Sequence, residues 1–192
     1  MYTWKMSKFA GLDDSGQATY YVTDSETSGM SRTTDYSSAT DYNCGNAIPL
    51  FYGGFSMDFR YRQFDLSMSL SYSVGGKAYD DGYRRAMRIP SFGSTGFSFH
   101  KDLLNAWSED NFGSDIPRWV FNDGYATSTS DRFLKDASWL NVQSIALGYT
   151  FTDKVVDSMK LSRLRIYVSC DNAAFFSARK GFDPSRSWDG ST

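Results

Sequence analysis

Residues 55–74 read FSMDFRYRQFDLSMSLSYSV, and apolar and polar side chains alternate through almost the whole stretch. Phe55, Met57, Phe59 and Tyr61 share one parity, against Ser56, Asp58, Arg60 and Arg62. From Phe64 the parity changes: Phe64, Leu66, Met68, Leu70, Tyr72 and Val74 alternate with Asp65, Ser67, Ser69, Ser71 and Ser73. Period two is the mark of a strand whose two faces meet different surroundings. The parity change across Arg62-Gln63 is what a tight hairpin requires, because residues flanking a two-residue loop pair on the same face. Arg-Gln is poor chemistry for a primed turn, so a longer loop over Tyr61 to Phe64 is the alternative. Either way two strands share one apolar face.

Two further segments extend the pattern. In WLNVQSIALGYTF, residues 139–151, Ile145, Leu147, Tyr149 and Phe151 alternate with Ser144, Ala146, Gly148 and Thr150. Leu140 and Val142 are out of phase with that set, which calls for a bulge near Gln143. In RLRIYVSCDN, Leu164, Ile166, Val168 and Cys170 oppose Arg165, Tyr167, Ser169 and Asp171. That polar face is too charged for the interior of a sandwich. Composition agrees with strands joined by polar loops, since aromatics reach 17% and Pro numbers only 4.

Periodicity alone does not separate a soluble sandwich, whose apolar face meets a second sheet, from a membrane barrel, whose apolar face meets lipid. Connection lengths do more. Arg62-Gln63 is very short, the link from Thr152 to Ser162 is moderate, and the stretch from Gly75 to Ser138 is very long. Short periplasmic turns alternating with long extracellular loops are the habit of outer-membrane barrels. On that reading the segments Gly11 to Pro49, Gly75 to Ser138 and Asn172 onward are extracellular. Tyr and Phe near strand ends, such as Tyr52, Phe55, Tyr61, Phe64, Tyr72 and Phe151, suit aromatic girdles. A charge on the lipid face would cost about 2–4 kcal/mol at mid-depth, and no apolar-face position named above carries one. The fold expected is all-β: an antiparallel transmembrane β-barrel segment of about four to five strands. It is incomplete, because even small barrels need about eight strands to close.

Several function classes fall away. The formal charge of -2, with basic residues scattered among acids, offers no footprint for nucleic acid. Cys44 and Cys170 form neither a metal-ligand spacing nor a redox pair, and the single histidine, His100, comes without a nucleophile elbow. Asp80, Asp81, Asp131 and Asp136 lack the spacing of a calcium loop, and Gly75-Gly76-Lys77 lacks that of a phosphate loop. Nothing sets Glu109 and Asp183 together as an acid/base pair. The expectation is therefore no catalytic residue, no metal and no cofactor. No apolar run is long enough for a spanning helix, so a membrane role means a barrel. The residues after Met1, YTWKMSKFAG, lack the features of a signal peptide.

The run AIPLFYGGFSMDFRYRQFDLSMSLSYSVGGKAYD, residues 47–80, resembles the hairpin of SusC/RagA-type TonB-dependent outer-membrane transporters. In that family a Pro-x-(Phe/Trp)-Tyr-Gly-Gly-Phe opening leads into a Phe-Asp-Leu-Ser strand and a Gly-Gly-Lys exit. FAGLDDSGQATYYV from Phe9, HKDLLNAW from His100, DIPR from Asp115, SDRFLKDASWLNVQSIALGYTF from Ser130, LRIYVSCDN from Leu164 and GFDP from Gly181 follow the family in order. The resemblance implies a barrel of some twenty-odd strands with a plug, a TonB-interacting segment and a SusD-like surface lipoprotein as partner. It implies TonB-driven import of oligosaccharides or peptides across the outer membrane of a Gram-negative cell. Residues 1–192 are expected to be the C-terminal portion of the barrel, with plug, signal peptide and closing strand lying outside it.

Ligand contacts in such a transporter come from loops and the lumen. Trp107, Trp119, Tyr125 and Trp188 are the candidate ligand-binding aromatics, each a large flat surface with a polar handle. Packing among the loops or against the lipoprotein is their competing reading. Arg60, Arg165 and Tyr167 face the lumen by alternation, where plug or neighbouring strands are closer partners than cargo. A soluble β-sandwich carbohydrate-binding module is the alternative to the transporter, and a secreted glycosidase ranks below both.

Overall fold

In the computed structural model, residues 2–23, 29–91 and 98–185 are described, and they divide into two compact units. Residues 48–76 with 136–192 form the sheet unit, and residues 1–47 with 77–135 the loop unit.

In chain order the strands are β1 (Thr3–Ser7), β2 (Phe9–Leu12), β3 (Ala18–Thr23), β4 (Met30–Thr33), β5 (Asp41–Asn46), β6 (Phe51–Tyr61), β7 (Phe64–Val74), β8 (Lys77–Tyr79), β9 (Leu134–Asp136), β10 (Trp139–Thr150) and β11 (Arg165–Ser177). Helix α1 (Asp81–Ala86) follows β8, and α2 (Asp153–Ser158) links β10 to β11. No helix among the described residues is long and apolar enough to cross a membrane.

The sheet unit is one antiparallel sheet in the order β11-β10-β7-β6. Tyr61 pairs with Phe64, so the hairpin loop is Arg62-Gln63 alone, with Arg62 taking the positive φ of 52° that the sharp reversal needs. Register then carries one apolar face across all four strands. Phe59 lies opposite Leu66, Leu66 opposite Leu147, and Leu147 opposite Val168. The bulge falls where the phase break requires it: both ladders of β10 skip Gln143, and Leu140 and Val142 rejoin the apolar set opposite Tyr72 and Leu70.

This face is bare. Phe59 is 59% exposed, Leu147 50% and Val168 72%. A sandwich would cover these side chains with a second sheet; among the described residues none does. The strands are 11, 11, 12 and 13 residues long, enough to cross a bilayer at the usual tilt. The fold is thus all-β, with its main sheet unclosed. β11 runs five residues past Asn172, where the loop was expected to begin. Asn172 takes a φ of 52° and, together with Ala173, is skipped; pairing resumes at Ala174 opposite Val142. A second irregularity opposite the β10 bulge thus restores the ladder.

The loop unit has a different construction. β1 pairs with β5, β2-β3-β4 form a small sheet, and β8 pairs with β9. Sequence reading expected only loop over most of this region. These strands are three to six residues long, too short for period two to show. Tyr20, Phe133 and Met87 are the loop unit's largest fully buried apolar side chains, and Met6, Cys44 and Leu134 pack as one buried cluster against Trp4, Tyr42 and Tyr79.

Candidate functional site

The polar face of the sheet is built mostly from small side chains. Ser56, Ser69 and Ser144 share one cross-strand row, and Asp58, Ser67, Ala146 and Ser169 the next. This floor is broken at its two ends.

At the hairpin end, Arg60 lies opposite Asp65, and Asp65 opposite Gly148. Arg165 reaches across β10 and grips Asp65 with both arms of its guanidinium, Nε lying 3.2 Å from Oδ1 and Nη2 bonding Oδ2. Gly148 makes this bridge possible, because a Cβ there would come within 2.6 Å of both Arg165 Nη2 and Asp65 Oδ2. The Arg165 guanidinium also lies 5.3 Å from the centre of the Tyr167 ring. Arg60, Arg165 and Tyr167, expected to face the lumen, lie on the same face of the sheet as Asp65. At the far end, Trp139 and Phe175 stack with ring centres 6.0 Å apart at 23°. Sequence reasoning missed this pair because it ended the strand before Phe175; the signal available was the aromatic run Phe175-Phe176 just past Asn172.

In the loop unit the candidate aromatics separate. Trp107 packs edge-on to Phe112 at 5.6 Å and lines a cleft of ≈600 Å³ with Phe9, Asp13, Asp14 and Asp115. Its ring lies against Gly16, leaving no room there for a Cβ. Trp119 is exposed and meets Phe99 edge-on at 5.6 Å. Tyr125 is held by its backbone: its carbonyl accepts from Tyr20 Oη at 2.5 Å, and its ring leans on Tyr36 at 6.3 Å. Trp188 lies outside the described residues. No single site gathers Trp107, Trp119 and Tyr125. Phe99 and Tyr36, their respective neighbours, instead line a second cleft of ≈990 Å³ together with Arg84, Arg85 and Arg88.

Several groups of the loop unit are shifted from their ordinary values. Burial pushes the Tyr20 phenol far above its ordinary value. Tyr83 is pushed up to about 12, first by burial and then by Asp102, whose Oδ2 accepts its hydroxyl proton at 2.9 Å. Arg132 is half-buried between Phe9 and Phe133, 5.2 and 5.5 Å from the ring centres; desolvation lowers it, and it donates to the Ala126 carbonyl at 3.3 Å. These groups serve architecture and offer no nucleophile-base contact. Among the described residues no three His, Cys, Asp or Glu side chains gather as a metal site.

An antiparallel sheet that turns an uncharged apolar face outward, and a small-residue polar face the other way, is the wall of a transmembrane β-barrel. The comparisons with known proteins agree. No family model matches the chain. It is 29% identical over 144 residues to TonB-dependent receptor P3 of Formosa agariphila, a match covering 75% of this chain and 14% of that protein. The solved structure of the RagAB peptide transporter superposes with a TM-score of 0.72 at 25% identity, over 95% of this chain and 20% of the other. The RagAB peptide importer in its closed-closed state gives 0.73 at 25% identity, over 94% and 20%. The chain is thus similar to a section of TonB-dependent receptors and of the RagAB transporter structures.

Proposed function

We propose that this chain is part of an outer-membrane TonB-dependent active transporter that imports oligosaccharides or peptides, working with a SusD-like surface lipoprotein. The observation that carries the reading is the apolar face running through Phe59, Leu66, Leu147 and Val168, continuous across four strands and free of charge. Only hydrocarbon solvates such a face without a second protein layer, and only a closed barrel satisfies the sheet's outer edges there. The chain spans 14% of its curated relative, so it is one stretch of barrel wall with its loops, which we assign to the C-terminal portion from the order of the family's motifs. In that arrangement the Arg62-Gln63 turn is periplasmic and the long segments entering at Phe51, leaving at Val74 and returning at Trp139 are extracellular. The polar face with Arg60, Arg165 and Tyr167 lines the lumen, and Trp107, Trp119, Tyr125 and Trp188 are candidate contacts for cargo or lipoprotein. The peptide named for the RagAB neighbours and the saccharide of the family resemblance are both cargo classes to test.

Spin labels at positions 59, 68 and 147 of the full-length parent, reconstituted in bilayers, should be reached by dissolved oxygen and shielded from a water-soluble nickel chelate. Labels at Ser67 and Ala146 should show the reverse bias. Uptake of labelled oligosaccharide or peptide by cells carrying the parent should stop when TonB is removed. Labels that reported tight protein packing in a water-soluble molecule would sink the reading.

A further inference from the structure

The ≈990 Å³ cleft of the loop unit differs chemically from the rest of that unit. One wall is α1 and the chain leaving it, with Arg84, Arg85, Arg88 and Ile89; the other includes Asn122, Asp123, Ser128 and Thr129. Backbone bonds hold the walls in place. Asn122, at a φ of 66°, donates its N–H to the Pro90 carbonyl at 3.0 Å, and the His100 N–H reaches the Ala86 carbonyl at 2.8 Å. The space is preformed and lies within the usual range for a small-ligand site of about 300–1,000 Å³.

Its charges do not balance locally. Asp81 serves two cations at once, with Arg84 Nη2 2.7 Å from Oδ1 and Arg85 Nε 2.5 Å from Oδ2. Burial works against ionisation of this carboxyl, but the two guanidinium groups outweigh it and hold it below the usual carboxylate range. Asp123, the acid in the lining, is engaged by backbone: its Oδ1 accepts from the N–H groups of Tyr125 at 3.0 Å and Ala126 at 3.3 Å. Arg88 is exposed and has no ion pair among the described residues. Three arginines thus line one space, with Asp81 shared between two of them and Asp123 tied to backbone N–H groups.

We propose that this cleft binds a carboxylate carried by the cargo, with Arg88 as its principal contact and Arg85 beside it. A guanidinium presents two parallel N–H donors that match the two oxygens of a carboxylate, and such charge-assisted pairs are the strong ones. Phe99 and Tyr36 give the apolar part of the same ligand a ring surface to lie on. The chemistry is shared by an acidic oligopeptide and a uronate-containing oligosaccharide. The proposal rests on the transporter reading and deepens it by naming the class of cargo.

The test is calorimetric titration of the detergent-solubilised full-length parent with triglutamate, trigalacturonate, and the neutral trimers triglutamine and maltotriose. At least one acidic trimer should bind at least about tenfold more tightly than its neutral counterpart, and Arg88→Gln should remove about tenfold of that affinity. The variant should keep the electrophoretic migration of the folded barrel. Triglutamate alone would identify peptide, trigalacturonate alone uronate, and both a general carboxylate site; each supports the proposal. Equal affinity for acidic and neutral trimers, binding of none, or an Arg88→Gln variant indistinguishable from the parent would overturn it. So would an equal loss on Arg32→Gln, a guanidinium on β4 outside the cleft, because the effect would then be general charge. TonB-dependent uptake of an acidic cargo that ignores Arg88→Gln would leave the transporter standing while removing the carboxylate site.

Discussion

The sheet unit and the loop unit solve the problem of apolar side chains in opposite ways. Among the buried apolar residues described, all but Val156 belong to the loop unit, where Tyr20, Phe133 and Met87 are each sealed by protein. The sheet unit has long, regular strands and almost no interior: its large side chains stand out from both faces. The loop unit is stabilised as globular domains are, by removing apolar area from water. The sheet takes its order from backbone pairing and from a solvent that the chain does not itself supply. A substitution on the sheet therefore acts through what surrounds it, and one in the loop unit through what packs beneath it.

Four measurements on the full-length parent sharpen or break this contrast. The largest effect should come from Phe133→Ala, which removes a fully buried ring and should cost about 3–5 kcal/mol within the loop unit. Hydrogen exchange should rise in β3, β8 and the 125–133 region while β6, β7 and β10 stay protected. Exchange rising equally in both units would show one cooperative core and dissolve the distinction.

Next, Met68→Arg on the apolar face should destabilise the barrel by about 2–4 kcal/mol, read from urea unfolding in bilayers. Ser67→Arg, one residue away on the polar face, should cost far less. Equal losses at the two positions would mean that both faces are wet or both are packed.

Gly148→Ala should have a smaller effect, because the atoms nearest its new Cβ are side-chain ends, those of Asp65 and Arg165. The bridge should open without shifting the ladder; a double-mutant cycle with Asp65→Asn would then show no remaining coupling to Arg165. Persistent coupling would mean that the pair is held from elsewhere.

The smallest effect at neutral pH belongs to Tyr83→Phe. Folding raises this phenol from its ordinary value near 10 to about 12, so the unfolded chain loses the proton first as pH rises. Its contribution is fully present below pH 10 and is lost as pH climbs through about 12. Proteolysis of the loop unit should accelerate across that window in the parent and less steeply in the phenylalanine variant. Parallel curves would assign the alkaline transition to other groups.

Much of the sheet was readable beforehand for a physical reason. Its strands have two environments, so each residue's side is written in its polarity, and the phase slip at Leu140 and Val142 announced the bulge at Gln143. The face shared by Arg60, Arg165 and Tyr167 followed from the same parity. The ion pair across Gly148 did not, because Asp65 and Arg165 are 100 residues apart and parity does not specify register. The candidate aromatics fared differently. Trp107, Trp119 and Tyr125 stand out in the sequence by type and by lying in loops, and the fold distributes them among separate contacts. The clefts themselves depend on where irregular backbone crosses, and that has no period to read.

The amino-acid sequence by itself determined four amphipathic strands, a tight hairpin and a common apolar side, because those depend on neighbours one and two positions away. Only tertiary structure decided the core of the loop unit and the arginine-lined cleft. Contacts such as Tyr20 to the Tyr125 carbonyl and the Phe9 N–H to Asp131 join residues 105 and 122 positions apart. Chain closure over such distances is set by the sum of packing choices throughout the fold, and no local alternation encodes it.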